Sequence, residues 1–194
     1  MEVNAPMRKI VRCRKGQSLI ELTFIFPILL ALVYGSVEIG NTISIYLTIT
    51  HMTREGANLA ARGTDPTAAL NTVKTAAAPT ITTSNQTRWR IVYSRLIQDP
   101  AQPCPPTPCK YIIDPTPDPL NPGRIIQGDF SQTSKLGPVG ATVTIPGIDT
   151  VAPNQIFHTF EAFYDYSPYV ITYVGKMINT TLYDRTIFTN VGSF

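Results

Sequence analysis

The chain has 194 residues, enough for one or two domains. Its formal net charge is +3 and only 15% of its residues are charged, which excludes nucleic-acid binding driven by a clustered Lys/Arg surface. No G-x-S-x-G, P-loop or HExxH motif occurs, so no catalytic site, metal site or cofactor is read from the residues.

The N-terminus is basic. Arg8, Lys9, Arg12, Arg14 and Lys15 stand against Glu2 alone, a net +4 over the first 16 residues. From Gly16 to Thr53 there is no Lys or Arg. Leu19 to Ile39 is apolar apart from a few small or polar residues and two glutamates. As a helix its 21 positions would span roughly 31 Å, about the thickness of a bilayer core. The basic flank predicts a cytoplasmic N-terminus, with the remainder on the other side of the membrane. A secretory signal would close on a small-residue cleavage site, and no clear A-x-A follows this run. A plain anchor has the right length but gives no reason for Glu21, because an ionised carboxylate in a bilayer is costly and usually marks a function. A simpler reading puts Glu21 at the membrane surface, since Leu22 to Val37 alone is a 16-residue uncharged stretch. Ala31/Gly35 and Ser36/Gly40 are small-xxx-small pairs that permit close helix approach, or ordinary small residues of a membrane helix. Glu38, at the outer end of the span, either meets a partner helix or faces the headgroups.

Past the membrane nothing stops the helix until about Arg62. Pro27 is the one interruption, a kink that neighbours or lipid surroundings tolerate. Ile45, Ile49, Met52 and Leu59 recur at near-helical spacing with Ala60 beside them, a stripe on which a soluble domain can sit. Thr64 or Asp65 caps a second helix with Pro66 at its first position, running to about Ala77. Arg88 to Ile97 reads as a strand with Trp89, Ile91 and Tyr93 on one face. Asp99 to Gly123 holds nine of the 17 prolines and is expected to be a long, stiff, exposed loop. Strands are expected again at Ala141 to Ile145, at Phe157 to Tyr166 with Phe160, Ala162, Tyr164 and Tyr166 on one side, and at Thr180 to Thr189.

Cys13 lies on the basic side, whereas Cys104 and Cys109 lie beyond the membrane in CPPTPC. Two cysteines with four residues between them in a non-cytoplasmic loop most simply form a local disulfide. A metal site would need ligands that no second cysteine or histidine cluster supplies. His51 and His158 read as packing or surface residues, and Asp114, Asp118, Asp129 and Asp149 as turn-formers rather than calcium ligands.

The expected architecture is α+β. A leader (1–16) precedes a long apolar helix (17–63, its membrane part about 19–39). An extracytoplasmic domain (64–194) follows, with a second helix and a small antiparallel sheet packed on the upper half of the long helix.

The run GQSLIE at Gly16 to Glu21 resembles the processing site of type IV pilin-like precursors. Pro27, Gly35 to Gly40, the segment TREGANLAARG and Asp65-Pro66 then resemble, in order and spacing, the TadE/TadF family of minor pilins of tight-adherence pili. The likeness covers roughly residues 12 to 78. Within the third motif it rests on Arg54, Glu55, Gly56, Ala57, Ala60 and Ala61, with Asn58 where a basic residue is common. The resemblance implies cleavage between Gly16 and Gln17 by a prepilin peptidase. It also implies that Glu21 neutralises the new α-amine or that of a neighbouring subunit, a pairing far cheaper in a low dielectric than either charge alone. Other pilins, an inner-membrane assembly platform and membrane lipid are the partners it implies, and nucleic acid is not. The other reading of the chain is an uncut, membrane-anchored binding or adhesion module that presents the Pro-rich loop.

Overall fold

The computed structural model describes residues 14–78, 80–81, 84–101, 110–116, 122–143, 155–168 and 180–190, with the backbone alone at 14–18. The chain divides into two compact units, Met1–Gly40 and Asn41–Phe194.

Helix α1 spans Arg14–Ala61, with Pro27 inside it. Proline has no N–H to give the Thr23 carbonyl one turn back, and the Thr23 hydroxyl donates to Leu19 O at 2.9 Å. The helix ends where Gly63 takes φ +88°. There the Gly63 N–H bonds Ala60 O at 3.0 Å and the Thr64 N–H bonds Leu59 O at 3.1 Å. Those two bonds satisfy carbonyls that the last turn would otherwise leave open, and glycine takes the left-handed backbone without a Cβ penalty. Helix α2, Pro66–Ala77, starts immediately. Asp65 is its N-cap, accepting the Ala68 N–H on Oδ2 at 2.8 Å, and Pro66 opens the first turn.

The second unit carries one antiparallel sheet. Its strands are β1 (Trp89–Gln98), β2 (Tyr111–Ile113), β3 (Arg124–Gln127), β4 (Thr142–Val143), β5 (Phe157–Tyr166) and β6 (Thr180–Thr189). The order is β4-β2-β1-β5-β6, with β3 also pairing β1. Along one side of β1, Ile91 to Ser94 pair with β3 and Leu96 to Gln98 pair with β2. On its other side Trp89 opposes Tyr164 and Leu96 opposes Phe157 of β5.

One face of the sheet closes on the helices. Ile45, Ile49, Met52, Ala57 and Ala60 of α1 join Ala69, Leu70, Val73 and Ala77 of α2 in a core with Trp89, Ile91, Tyr93, Phe160, Ala162 and Tyr164. The i, i+3/i+4 spacing of the helical members and the i, i+2 spacing of the strand members are the two periodicities that turn one side of each element inward. A second cluster of Leu96, Tyr111, Ile113, Leu136, Val143 and Phe157 fills the end where β2 and β4 join.

The α+β architecture expected from the sequence is therefore present, with three corrections. The segment Asp99 to Gly123 is not simply an exposed loop: Tyr111–Ile113 is a buried strand in register with Leu96 to Gln98. The prolines flank this strand and leave its own N–H groups available for pairing. Asp114 ends it, buried, with its N–H on Arg95 O at 2.9 Å and a carboxylate oxygen 3.4 Å from Arg95 Nη1. Arg124–Gln127 forms a strand that the sequence pattern did not announce. Strand β5 is buried along both faces rather than one, because the helices cover one face and residues 134–136 pack on the other at Phe157 and Glu161. Cys104, Cys109, Asp118 and Asp149 lie outside the described residues, as does the leader through Cys13.

Candidate functional site

Two stretches of α1 and one buried carboxylate carry the chemistry of this chain. The first stretch is the apolar segment. Its large side chains are exposed at nearly every position, from Leu19 at 68% and Phe24 at 71% to Val37 and Ile39 at 63% each. They point in all directions rather than forming a stripe. A helix that is apolar all round belongs in lipid or deep inside an assembly, and an exposed apolar surface of this extent marks a membrane or protein contact. Among the described residues α1 is the one helix long and apolar enough to cross a membrane.

The Thr23 and Ser36 hydroxyls of this segment turn inward on their own helix. The Ser36 hydroxyl donates to Leu32 O at 2.8 Å, which keeps it satisfied without water. Gly35 and Gly40 have open space where a Cβ would be, so the small-xxx-small pairs with Ala31 and Ser36 are unfilled. Glu21 is exposed and Glu38 half-exposed. Gly16 and Gln17 are part of the helix backbone. Pro27 lies between Glu21 and Ala31 on the same helix.

The second stretch is the motif at Arg54 to Ala61. Arg54 and Glu55 face solvent. Gly56, Ala57, Ala60 and Ala61 are buried. A Cβ on Gly56 would fall 2.5 Å from Cδ1 of Phe160 on β5. The motif is thus a packing device, small residues on one side of α1 that let the sheet come close. Thr53, just before it, is buried and donates its hydroxyl to Asp184 of β6, with Thr186 Oγ1 3.0 Å away. His51 is exposed, a surface residue as its sequence context suggested.

Sequence reasoning passed over the buried carboxylate, Glu161. It is fully buried on β5. It accepts the Ser134 hydroxyl, the Lys135 N–H at 3.0 Å and the Tyr183 hydroxyl at 3.0 Å. Arg124 is bound to the same loop, Nη1 to Gly137 O at 2.7 Å and Nη2 to Ser134 Oγ at 3.2 Å. Burial lowers the Arg124 pKa while the Glu161 charge raises it. Burial also raises the Tyr183 pKa, helped by the Glu161 charge beside it. The signal available in the sequence was an acid in the middle of the aromatic-rich run FHTFEAFYDY, between Phe160 and Ala162. Its partners at 134, 135 and 183 are far away in the chain.

His158 is another buried polar residue on this strand, beside Thr159. Its Nδ1 lies 2.9 Å from the Tyr93 hydroxyl and its Nε2 2.7 Å from Asn190 Oδ1. Burial lowers its pKa, the Asn190 bond raises it, and Arg95 lowers it again. Asp114 is a turn-former, as expected, with Oδ1 accepting the Thr116 N–H at 2.9 Å.

No curated protein and no solved structure gave a significant match to the chain. Residues 16–58 match the family model described as TadE-like protein, a narrower span than the likeness over 12 to 78. The match starts on Gly16, runs through the exposed apolar segment and ends inside the buried motif. That N-terminal segment is TadE-like, consistent with a TadE-like pilin of tight-adherence pili.

Proposed function

We propose that the chain is a minor pilin, or pseudopilin, of a tight-adherence-type pilus. It is made as a precursor, cut after Gly16 by a prepilin peptidase, and inserted in the inner membrane with its N-terminus in the cytoplasm and its sheet domain outside. It joins or primes the filament through Leu19 to Ile39, on the membrane assembly platform, by packing against the helices of other pilins. The observation that carries this reading is a single one: the TadE-like match begins at the glycine of the processing motif and covers a helix that is apolar and exposed all round. Such a surface is stable only in lipid or against other apolar helices. Glu21 then has a role, since the freed α-amine at Gln17 lies one helical turn away and pairs with it. The family is one of structural and assembly proteins, and the reading assigns no reaction to this chain.

The test is the N-terminal sequence and intact mass of the protein taken from native membranes without reduction. A chain starting at Gln17 supports processing, and a mass lower by one pair of hydrogens supports the Cys104–Cys109 disulfide. A chain starting at Met1 overturns the pilin reading in favour of an uncleaved, membrane-anchored binding module.

A further inference from the structure

The face of the sheet turned away from the helices has a feature that the proposed role leaves unused. Between β1, β3 and the loop after Gly128 lies an open cleft of about 380 Å³, within the roughly 300–1,000 Å³ range of small-molecule sites. Arg90, Val92, Arg124, Ile126, Thr133 and Pro138 line it. Among the described residues its charged lining is the two arginines.

The two guanidinium groups differ. Arg124 is held in place by three bonds, Nε to Ser94 Oγ at 3.1 Å and its two terminal nitrogens to Gly137 O and Ser134 Oγ. Arg90 makes one to the described residues, Nη1 to Gln132 O at 2.6 Å. Its Nε–H is shielded from solvent and has no acceptor among the described residues. A guanidinium offers five N–H donors in a planar fork, and a buried donor left without an acceptor costs free energy. The Ser134 hydroxyl at the cleft is already engaged. The Ser134 hydroxyl donates to Glu161 and accepts from Arg124 and from the Leu136 N–H. The rest of the lining is largely apolar, through Val92, Ile126 and Pro138.

We propose that this cleft binds a small organic carboxylate, with the two terminal nitrogens of Arg90 taking the carboxylate oxygens, Arg124, whose charge the nearby Glu161 offsets, forming part of the wall, and the body of the ligand against Val92, Ile126 and Pro138. The planar fork matches a carboxylate bidentately. A phosphate would bring further charged oxygens against Val92, Ile126 and Pro138, with the Thr133 hydroxyl as the one other side-chain donor of the described lining.

The full-length protein in detergent micelles is titrated by calorimetry with two carboxylates, glucuronate and N-acetylalanine. Glucose and inorganic phosphate serve as controls. Binding of either carboxylate without binding of glucose is expected. Glucuronate as the tighter ligand assigns a sugar acid, and N-acetylalanine a chain-terminal carboxylate. Arg90→Gln is expected to weaken the binding about tenfold or more, the loss of a charged hydrogen-bond pair. Ile126→Glu, at an exposed wall position, is expected to weaken it similarly. Failure of both carboxylates at millimolar concentration overturns the proposal. So does phosphate binding as tightly as the better carboxylate, or an unchanged affinity in the two variants.

Discussion

Gly56 of α1 stands directly against the ring of Phe160 on β5: a Cβ at position 56 would lie 2.5 Å from both Cδ1 and Cε1. Carbon atoms in contact normally sit about 3.5–4.0 Å apart. The ring has no free direction in which to retreat. Phe160 is fully buried, and Tyr93 packs edge-on against it with centroids 5.4 Å apart.

Two effects therefore oppose each other in Gly56→Ala. The helix gains about 1 kcal/mol from the better helix former, and overpacking the core costs about 1–3 kcal/mol. Net destabilisation of up to about 2 kcal/mol is expected by urea denaturation, because the clash with a ring that cannot move aside outweighs the gain in helix propensity. Combining it with Phe160→Leu recovers part of the loss if the clash is the cause. A more stable Gly56→Ala protein would refute the close contact.

Glu161 offers the second prediction. Its carboxylate answers Ser134, Lys135 and Tyr183 and lies near Arg124. Glu161→Ala strips all of these at once and is expected to cost about 3–5 kcal/mol, the range for breaking a buried charged pair. Glu161→Gln keeps the volume and one acceptor and should lose less. A change within about 0.5 kcal/mol for the alanine variant, typical of an inert surface site, would show that the network contributes nothing.

His158 sets a pH dependence. In the neutral ring Nδ1 accepts from the Tyr93 hydroxyl and Nε2–H donates to Asn190. Burial holds the folded pKa below the ordinary value, so in the window between the two pKa values the unfolded chain binds more protons. The stabilisation from the neutral ring is complete above about pH 6.5, the unfolded value. It is lost as pH falls through the folded pKa. The melting temperature of the wild type should drop over that interval more steeply than that of His158→Gln, which cannot titrate. Parallel curves would remove His158 from the acid response.

The pilin reading makes its own pair of predictions. Gly16→Leu should abolish maturation, leaving the precursor mass. Glu21→Ala should be cut normally but drop out of the sheared filament fraction on immunoblots. Normal filament incorporation of both variants would end that reading.

How much of this was legible in the sequence depends on the range of the interactions. Helix α1, the Asp65–Pro66 start of α2, and strands β1, β5 and β6 follow from patterns contained within each segment. Tyr111–Ile113 does not, because three residues between prolines acquire strand character only from Leu96 to Gln98 across the sheet. Arg124–Gln127 has polar ends and owes its place to Ile91 to Ser94. Gly56 could be singled out by its motif, but the reason for glycine there is a ring more than 100 positions away. For the same reason Glu161 is visible in sequence as an oddity and only in three dimensions as the anchor of a loop.

Helix α1 answers to two solvents. Up to Ser44 its large apolar side chains face outward, and from Ile45 its apolar stripe faces a core. The change falls in mid-helix, with no break in the chain at that point. Solubility is therefore a question of where the chain is cut. A fragment beginning near Asn41 keeps Ile45, Ile49, Met52 and Gly56 under the sheet and discards most of the surface that requires lipid. One beginning at the end of α1 exposes the underside of the sheet, replacing a membrane problem with an aggregation problem.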